Sequence, residues 1–174
     1  MTVSRKAVFF IRAYNDMDHF TPVIWQLATT TDLPISVVVR MGRAALEDYR
    51  MVFLRQFPTV TLHAIGDFIP EHDTDKGDSQ PLLPRPSLLK RARRKLARWL
   101  NPQPPPEPRS RHEVDPDKVE TMLDALFSGA QHGIVVFDWT TLSRFNVNFA
   151  QTVIESARRR GYANLSLPHG DSPY

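Results

Sequence analysis

The sequence predicts an α/β fold in which about five parallel strands form one doubly wound sheet. Short, nearly continuous apolar segments are typical of strands that are buried on both faces. Segments with apolar residues at helical spacing alternate with these strands, which favours right-handed β-α-β crossovers. The chain has 174 residues, of which 41% are hydrophobic, and this is enough for one domain with a substantial core. We expect the strand order 3-2-1-4-5.

The predicted elements follow one another in regular order. Strands are expected at residues 6–13, 34–40, 59–65, 133–138 and 163–167. A polar loop at 14–18 is expected to lead into a helix with Asp18 as its N-cap. Further helices are expected at 43–57, at 116–127, and from a Ser143 cap to a stop at Gly161. In the helix at 43–57, five residues are expected to face the core, namely Ala45, Tyr49, Val52, Phe53 and Phe57.

Proline and charge set one segment apart from the rest of the chain. Residues 1–67 and 111–174 are predicted to form one domain, and residues 68–110 a flexible insert. Residues 85–111 hold nine Lys or Arg and one acid, which leaves 13 basic and 18 acidic residues elsewhere. The basic character therefore belongs to the insert, and a nucleic-acid-coating surface is not indicated for the domain.

Within this insert, residues 87–100 (SLLKRARRKLARWL) predict an amphipathic basic helix. Its leucines and Trp99 share one face, and the other face carries Lys90, Arg91, Arg93, Arg94, Lys95 and Arg98. This pattern suits binding to an anionic membrane surface through the basic residues and Trp99. The alternative is that the apolar face packs onto the domain. A nucleic-acid arm is third, because the aromatic residues that stack on bases are missing.

Several classes of function are excluded or unsupported. The chain has no cysteine, so disulfides, thiolate zinc sites and cysteine nucleophiles are ruled out. It contains neither GxGxxG nor GxxxxGK[ST], and no cofactor is predicted. The acidic residues at 71–75 (EHDTD) indicate a solvated loop, so no metal site is predicted. No apolar segment approaches the ~20 residues that span a bilayer, and we expect a cytoplasmic protein, peripheral on the membrane at most.

The first candidate site follows the first strand, because ligands of doubly wound sheets bind at the carboxyl ends of strands. Asn15, Asp16 and Asp18 are predicted to bind substrate there, next to His19. A neighbouring carboxylate would orient one ring nitrogen of His19 and leave the other to act as a general base. The alternative is a surface histidine beside an aspartate cap.

The second candidate site lies at the ends of the last two strands. His169 follows the fifth strand and Pro168, and it is predicted to be catalytic. Gly170, Asp171 and Asp138, the last of these at the end of the fourth strand, are predicted to bind substrate. The alternative is a turn that ends the strand. The remaining histidines are expected to be structural or to lie in loops.

These two loops resemble the N-terminal Rossmann-like domain of the GT-B glycosyltransferases. In that group a His followed three residues later by Pro often comes after the first strand, as His19 and Pro22 do here. The pair His169-Gly170 is similar to the His-Gly motif of the CDP-glycerol glycerophosphotransferases, in which the histidine is thought to be the catalytic base. The resemblance covers the five predicted strands.

The resemblance implies the acceptor-side domain of a glycosyl- or glycerophosphotransferase that synthesises a cell-surface polymer. His169 or His19 would be the base, and a C-terminal domain beyond residue 174 would bind the nucleotide-linked donor. This chain would then be the N-terminal half of a longer enzyme, inactive alone. The alternative is a non-catalytic α/β binding or interaction domain that reaches a membrane or a partner through its basic helix.

Overall fold

The computed structural model describes residues 4–70, 114–139 and 147–168. They form a five-stranded, entirely parallel sheet in the order β3-β2-β1-β4-β5, which confirms the predicted fold class and strand order. The strands are β1 (Arg5–Ile11), β2 (Ile35–Val39), β3 (Val60–Ala64), β4 (His132–Trp139) and β5 (Ala163–Pro168). The predicted helix at 87–100, the Ser143 cap and residues 169–171 lie outside the described residues.

Strands β1 and β2 are the most apolar ones because both of their faces are covered. Residues Ala7–Ile11 of β1 and all of β2 are buried. Ala7 is level with Ile35 of β2 and with Ile134 of β4, so β1 has a hydrogen-bonded neighbour on each side. The continuous apolar runs that predicted these strands thus reflect burial on both faces, as parallel sheets require.

The four α-helices of the described residues divide between the two faces of the sheet. They are α1 (Tyr14–Thr30), α2 (Tyr49–Leu54), α3 (Pro116–Leu126) and α4 (Val147–Arg159). α1 and α2 pack on one face, in a core that includes Phe9 and Val37. α3 and α4 pack on the other face, with Phe10 and Val38. Neighbouring residues of one strand therefore point into opposite cores, because successive side chains of a β-strand lie on opposite faces of the sheet.

The helix at 116–126 agrees closely with its prediction. Its apolar side chains at helical spacing are all buried, and they are Val119, Met122, Leu123 and Leu126. Asp115 caps it by accepting a hydrogen bond from the Asp117 amide at 3.0 Å. Gly129 and Gly161, which follow α3 and α4, have positive φ angles of 76° and 73°. Glycine adopts this conformation without steric cost, and the predicted stop at Gly161 is confirmed.

The start of α1 was predicted wrongly. The helix begins at Tyr14, so residues 14–18 are its first turns rather than a loop, and Asp18 is not the N-cap. The cause is Asp16, whose carboxylate accepts hydrogen bonds from the backbone amides of Arg12 and Ala13. The amides of Arg12 and Ala13, which come just before the helix, therefore donate to the side chain of its third residue.

The segment after β2 was also predicted wrongly in part. A 3-10 turn (Arg43–Glu47) comes first, and the break at Asp48 shifts the phase of the short helix α2. Ala45 is buried as expected, but the Tyr49 side chain is 74% exposed, and Val52 and Phe53 are also exposed. The core positions of this segment are instead filled by Leu46, Met51 and Leu54.

The core continues beyond β3. A 3-10 turn (Ile65–Asp67) follows the strand, and Asp67 accepts a hydrogen bond from the Ala64 amide at 3.0 Å. Ile69 is buried with Val114 in the core of α3 and α4. The sequence assigns Ile69 to the insert, but its side chain belongs to the folded domain. Within the described ranges, no helix is long and apolar enough to cross a bilayer.

Candidate functional site

Charged residues meet where β1, β2 and β4 end. Arg12 follows the last residue of β1, Arg40 follows the last residue of β2, and Asp138 is the penultimate residue of β4. The registers Ile11–Val39 and Phe10–Phe137 place all three at the carboxyl edge of the sheet. The Arg40 amide also donates to the Ile11 carbonyl at 2.8 Å, which fixes the ends of the two strands together.

Asp16 joins this group from α1. One of its carboxylate oxygens, Oδ2, accepts from the Arg12 amide at 2.9 Å and from the Ala13 amide at 3.0 Å. The side chain is buried, and the turn between β1 and α1 is short, so the carboxylate lies close to the sheet edge. Asp16 thus closes the turn and brings a negative charge to Arg12.

The Arg12 guanidinium lies between two carboxylates. Its Nη2 atom is 3.8 Å from Asp16 Oδ1 and 3.7 Å from Asp138 Oδ2. Both carboxylates are nearly inaccessible to solvent, whereas the Arg12 side chain is 26% exposed. Because β1 and β4 are neighbours, the pair of Arg12 with Asp138 spans the two strands between which the order of the sheet reverses.

Arg40 supplies a second cation, supported by an aromatic ring. Its guanidinium carbon lies 4.2 Å from the centre of the Phe149 ring of α4, which is a cation–π geometry. Burial and, to a smaller extent, the positive charge of Arg12 lower the pKa of Arg40 to about 10, although the negative charge of Asp16 opposes this shift. Arg40 therefore stays charged at neutral pH in a site where its charge is poorly solvated.

We call Arg12, Asp16, Arg40 and Asp138 the edge cluster. Two guanidinium groups can bind an oxyanion through charged hydrogen bonds, and carboxylates can orient these groups or accept from a hydroxyl. In the part of the chain that the structure describes, no three His, Asp or Glu side chains are placed to hold a metal ion. Through its guanidinium and carboxylate groups, the edge cluster can bind an anion and form hydrogen bonds.

The structure brings together two of the predicted substrate-binding residues and separates the others. Asp16 and Asp138 lie on either side of Arg12 in the edge cluster. Asn15 and His19 are exposed on α1, and His19 lies in the second turn of the helix rather than the first. The other predicted residues, His169, Gly170, Asp171 and the basic residues of 87–100, lie outside the described residues.

Asp18 takes part in a contact between α1 and α2. It accepts a hydrogen bond from Arg50 Nη1 at 2.5 Å, and the same nitrogen donates to the Tyr14 carbonyl at 3.0 Å. Arg50 also binds Asp48 through Nε and Nη2, at 2.7 and 2.8 Å. These bonds raise the pKa of Arg50 and lower that of Asp48. The side chain of Asp18 thus holds α2 against the start of α1.

Sequence reasoning missed Arg12 and Arg40. Each is the first charged residue after a continuous apolar strand, in FFIR and VVVR, and this signal was present in the sequence. A strand that is buried on both faces has to end where its residues become polar, so such a residue marks the edge where ligands bind. The predicted strand bounds, 6–13 and 34–40, placed both arginines inside strands and concealed the signal.

No family model, curated protein or solved structure matches the chain.

Proposed function

We propose that this chain is the acceptor-binding domain of a glycosyl- or glycerophosphotransferase, and that the edge cluster holds the acceptor. The observation that carries the proposal is the ion pair between Arg12 and Asp138, which spans β1 and β4. Ligands of doubly wound sheets bind in the crevice at this switch in strand order. The parallel sheet in the order 3-2-1-4-5 is compatible with this reaction class, and the resemblance of the two histidine loops to transferases supports it.

The turn between β1 and α1 favours an acceptor over a nucleotide. In dinucleotide-binding folds, backbone amides at this helix start bind a pyrophosphate. Here the amides of Arg12 and Ala13 already donate to the Asp16 carboxylate. A pyrophosphate at this position would meet a buried negative charge. The nucleotide-linked donor would therefore bind to a further domain of the enzyme, and the acceptor would bind to this one.

The base of the proposed reaction would remove the proton of the acceptor hydroxyl. His19 and His169 are the two candidates, and His19 is accessible on α1, three residues after Asp16. A neutral imidazole takes up a proton near physiological pH, which suits this step. An anionic membrane surface, contacted by residues 87–100, is proposed as the place where a lipid-linked acceptor is presented.

Transfer from a labelled donor tests the proposal. The complete reading frame that contains these 174 residues should transfer label from CDP-glycerol or a UDP-sugar to an acceptor, and the 174 residues alone should not. Replacing Asp138 with Asn should lower transfer at least tenfold. Asp32→Asn, at an exposed position before β2, is the matched control and should have no effect.

Two further results decide between the alternatives. His19→Gln and His169→Gln should differ, because only the variant that lacks the base loses the rise of kcat with pH. Transfer by the isolated chain would show that the donor site lies within these residues. No transfer by either protein would contradict the transferase proposal and favour a non-catalytic binding domain.

A further inference from the structure

β5 lies at one side of the sheet and carries no charge. In the described part of the chain it pairs with β4 alone, so no strand lies along its other side. The segment from Ala163 to Leu167 reads ANLSL, and the nearest Lys, Arg, Asp or Glu residues in the sequence are Arg160 and Asp171. Folded proteins protect such an outer strand with lysine, proline or a bulge, because an unprotected one pairs with another strand.

The apolar side chains of β5 form a row on one face of the sheet. Leu165 is level with Val136 of β4, which belongs to the core of α1 and α2. Since side chains alternate along a strand, Ala163, Leu165 and Leu167 point to that same face. The Leu165 side chain is nevertheless 51% exposed, and Leu167 is only partly buried. The row is therefore left partly uncovered by α1 and α2.

The pattern of this strand is symmetric about Leu165. Read in either direction from Leu165, a polar residue comes first and an apolar residue second. In an antiparallel pair centred on Leu165, Ala163 of one strand would lie opposite Leu167 of the other, and Asn164 opposite Ser166. Apolar residues would meet apolar ones and polar residues would meet polar ones. The strand is thus complementary to a second copy of itself, as a two-fold interface requires.

α4 carries apolar residues on the side that faces β5's unpaired edge. Its opposite side contacts α3, where Arg160 donates to Glu120 at 3.0 Å and Ser156 is buried. Ile154 comes two residues before Ser156, which is a rotation of about 200° around the helix axis. It therefore lies away from α3, and Ala150 follows it one turn nearer the helix start. Both residues are partly exposed.

These residues of α4 lie at the same height as Leu165. The Tyr162 amide donates to the Ala157 carbonyl at 2.9 Å, so the end of α4 is level with the start of β5. Leu165 lies about 10 Å further along the strand, which equals nearly two turns back along the helix and reaches the turn from Ala150 to Ile154. A partner that supplied only a strand would leave this turn uncovered. A second copy of the chain would cover it with its own α4.

We propose that two copies of this chain associate through β5 and α4 about a two-fold axis at Leu165. The two β5 strands pair antiparallel, and the two sheets become one continuous sheet. The Leu165 side chains meet on the face of α1 and α2, and the Ile154 side chains meet on the face of α4. Arg158, the charged residue on this side of α4, lies at opposite ends of the helix pair in the two copies. This inference does not depend on the proposed function.

Sedimentation velocity over a range of protein concentrations tests the association. We expect the mass to rise with concentration to that of two chains, for the 174 residues and for the complete reading frame that contains them. Leu165→Lys should raise the dissociation constant at least tenfold, because the two new charges would lie opposite each other on the paired strands. Val52→Lys, at an exposed apolar position of α2, is the matched control and should associate as the wild type does.

Cysteine substitutions test the register, because the chain has no cysteine of its own. Residues directly opposite each other in antiparallel strands have Cα atoms about 4.5–5.5 Å apart, which a disulfide can bridge. Leu165→Cys should therefore give a covalent dimer in an oxidising glutathione buffer. In Ala163→Cys, the matched control on the same strand, the two thiols would be about 13 Å apart along the strands and should remain unlinked.

Four results would overturn the proposal. They are the mass of one chain at every concentration, an unchanged dissociation constant in Leu165→Lys, equal cross-linking of the two cysteine variants, and a complete reading frame that stays monomeric. Urea unfolding shows whether Leu165→Lys is folded, and Leu165→Cys keeps the test valid if it is not. Association without any transfer of label would contradict the proposed function alone.

Discussion

Replacing Asp16 should destabilise the domain more than the loss of an ordinary helix cap. Asp16 is buried, and its Oδ2 atom accepts from the amides of Arg12 and Ala13 at 2.9 and 3.0 Å. A hydrogen bond to a charged group contributes roughly 1.5 kcal/mol or more, and both are lost in Asp16→Ala. We therefore expect the free energy of unfolding to fall by about 3 kcal/mol. Asp16→Asn can keep an oxygen that accepts both bonds but loses the charge, and because charged hydrogen bonds are roughly twice as strong as neutral ones, it should lose about half of that.

Asp115 provides the matched control for this prediction. It caps α3 through one exposed hydrogen bond to the Asp117 amide at 3.0 Å. Asp115→Ala should cost about 1 kcal/mol, the usual value for an N-cap. Urea unfolding followed by circular dichroism measures both differences by linear extrapolation. If Asp16→Ala costs no more than Asp115→Ala, then the two hydrogen bonds to Asp16 do not stabilise the β1–α1 turn beyond an ordinary cap.

Three further predictions concern other parts of the chain. Hydrogen bonds from Arg160 lower the pKa of Glu120 to about 2, so this stabilisation is present above the ordinary pKa and is lost as pH falls toward 2. In urea unfolding, Glu120→Gln should lose about 1 kcal/mol at neutral pH, after allowance for solvent screening, and much less near pH 3; a constant loss would contradict the pairing. Gly133→Ala places a Cβ 2.6 Å from Tyr162 Cγ and should cost about 2 kcal/mol. The cost should shrink when Tyr162 is Leu, and a full additive loss in the double variant would argue against the clash. Replacing the four arginines of residues 87–100 with Glu should abolish co-sedimentation with anionic vesicles, and equal binding of the wild type to neutral vesicles would argue against an electrostatic mechanism.

The sheet could be predicted from the sequence because its strands are buried on both faces. A strand such as Ile35–Val39 has no alternation to interpret, and its continuous apolar run is incompatible with a surface helix. The prediction of one continuous helix at 43–57 was wrong because apolar spacing does not show where a helix is interrupted. Its apolar residues fit one helical face only if the helix is continuous, and the break at Asp48 turns Tyr49 outward. At that break Asp48 caps α2 by accepting from the Arg50 amide. The Arg50 side chain also contacts α1, which is a tertiary interaction that the local sequence does not display.

The edge cluster was only half predictable, because its members come together through the strand order. Asp16 and Asp138 were predicted from their positions after strands, although they are 122 positions apart in the chain. Arg12 and Arg40 were missed because a charged residue next to an apolar run is equally consistent with a strand end that simply faces solvent. Only the parallel registers of β1 with β2 and β4 place these four side chains at one edge.

Asp16 links the stability of the fold to the ligand that the domain can bind. Its carboxylate satisfies the amides at the start of α1, and this occupies the position where nucleotide-binding folds hold a pyrophosphate. The same carboxylate lies 3.8 Å from the Arg12 guanidinium and so also holds that charge at the carboxyl edge of the sheet. Under the proposed function, the acceptor would therefore be bound by side chains of the edge cluster rather than by these two amides. Since side chains reach further than amides, such a site would suit an acceptor that lies across the ends of neighbouring strands.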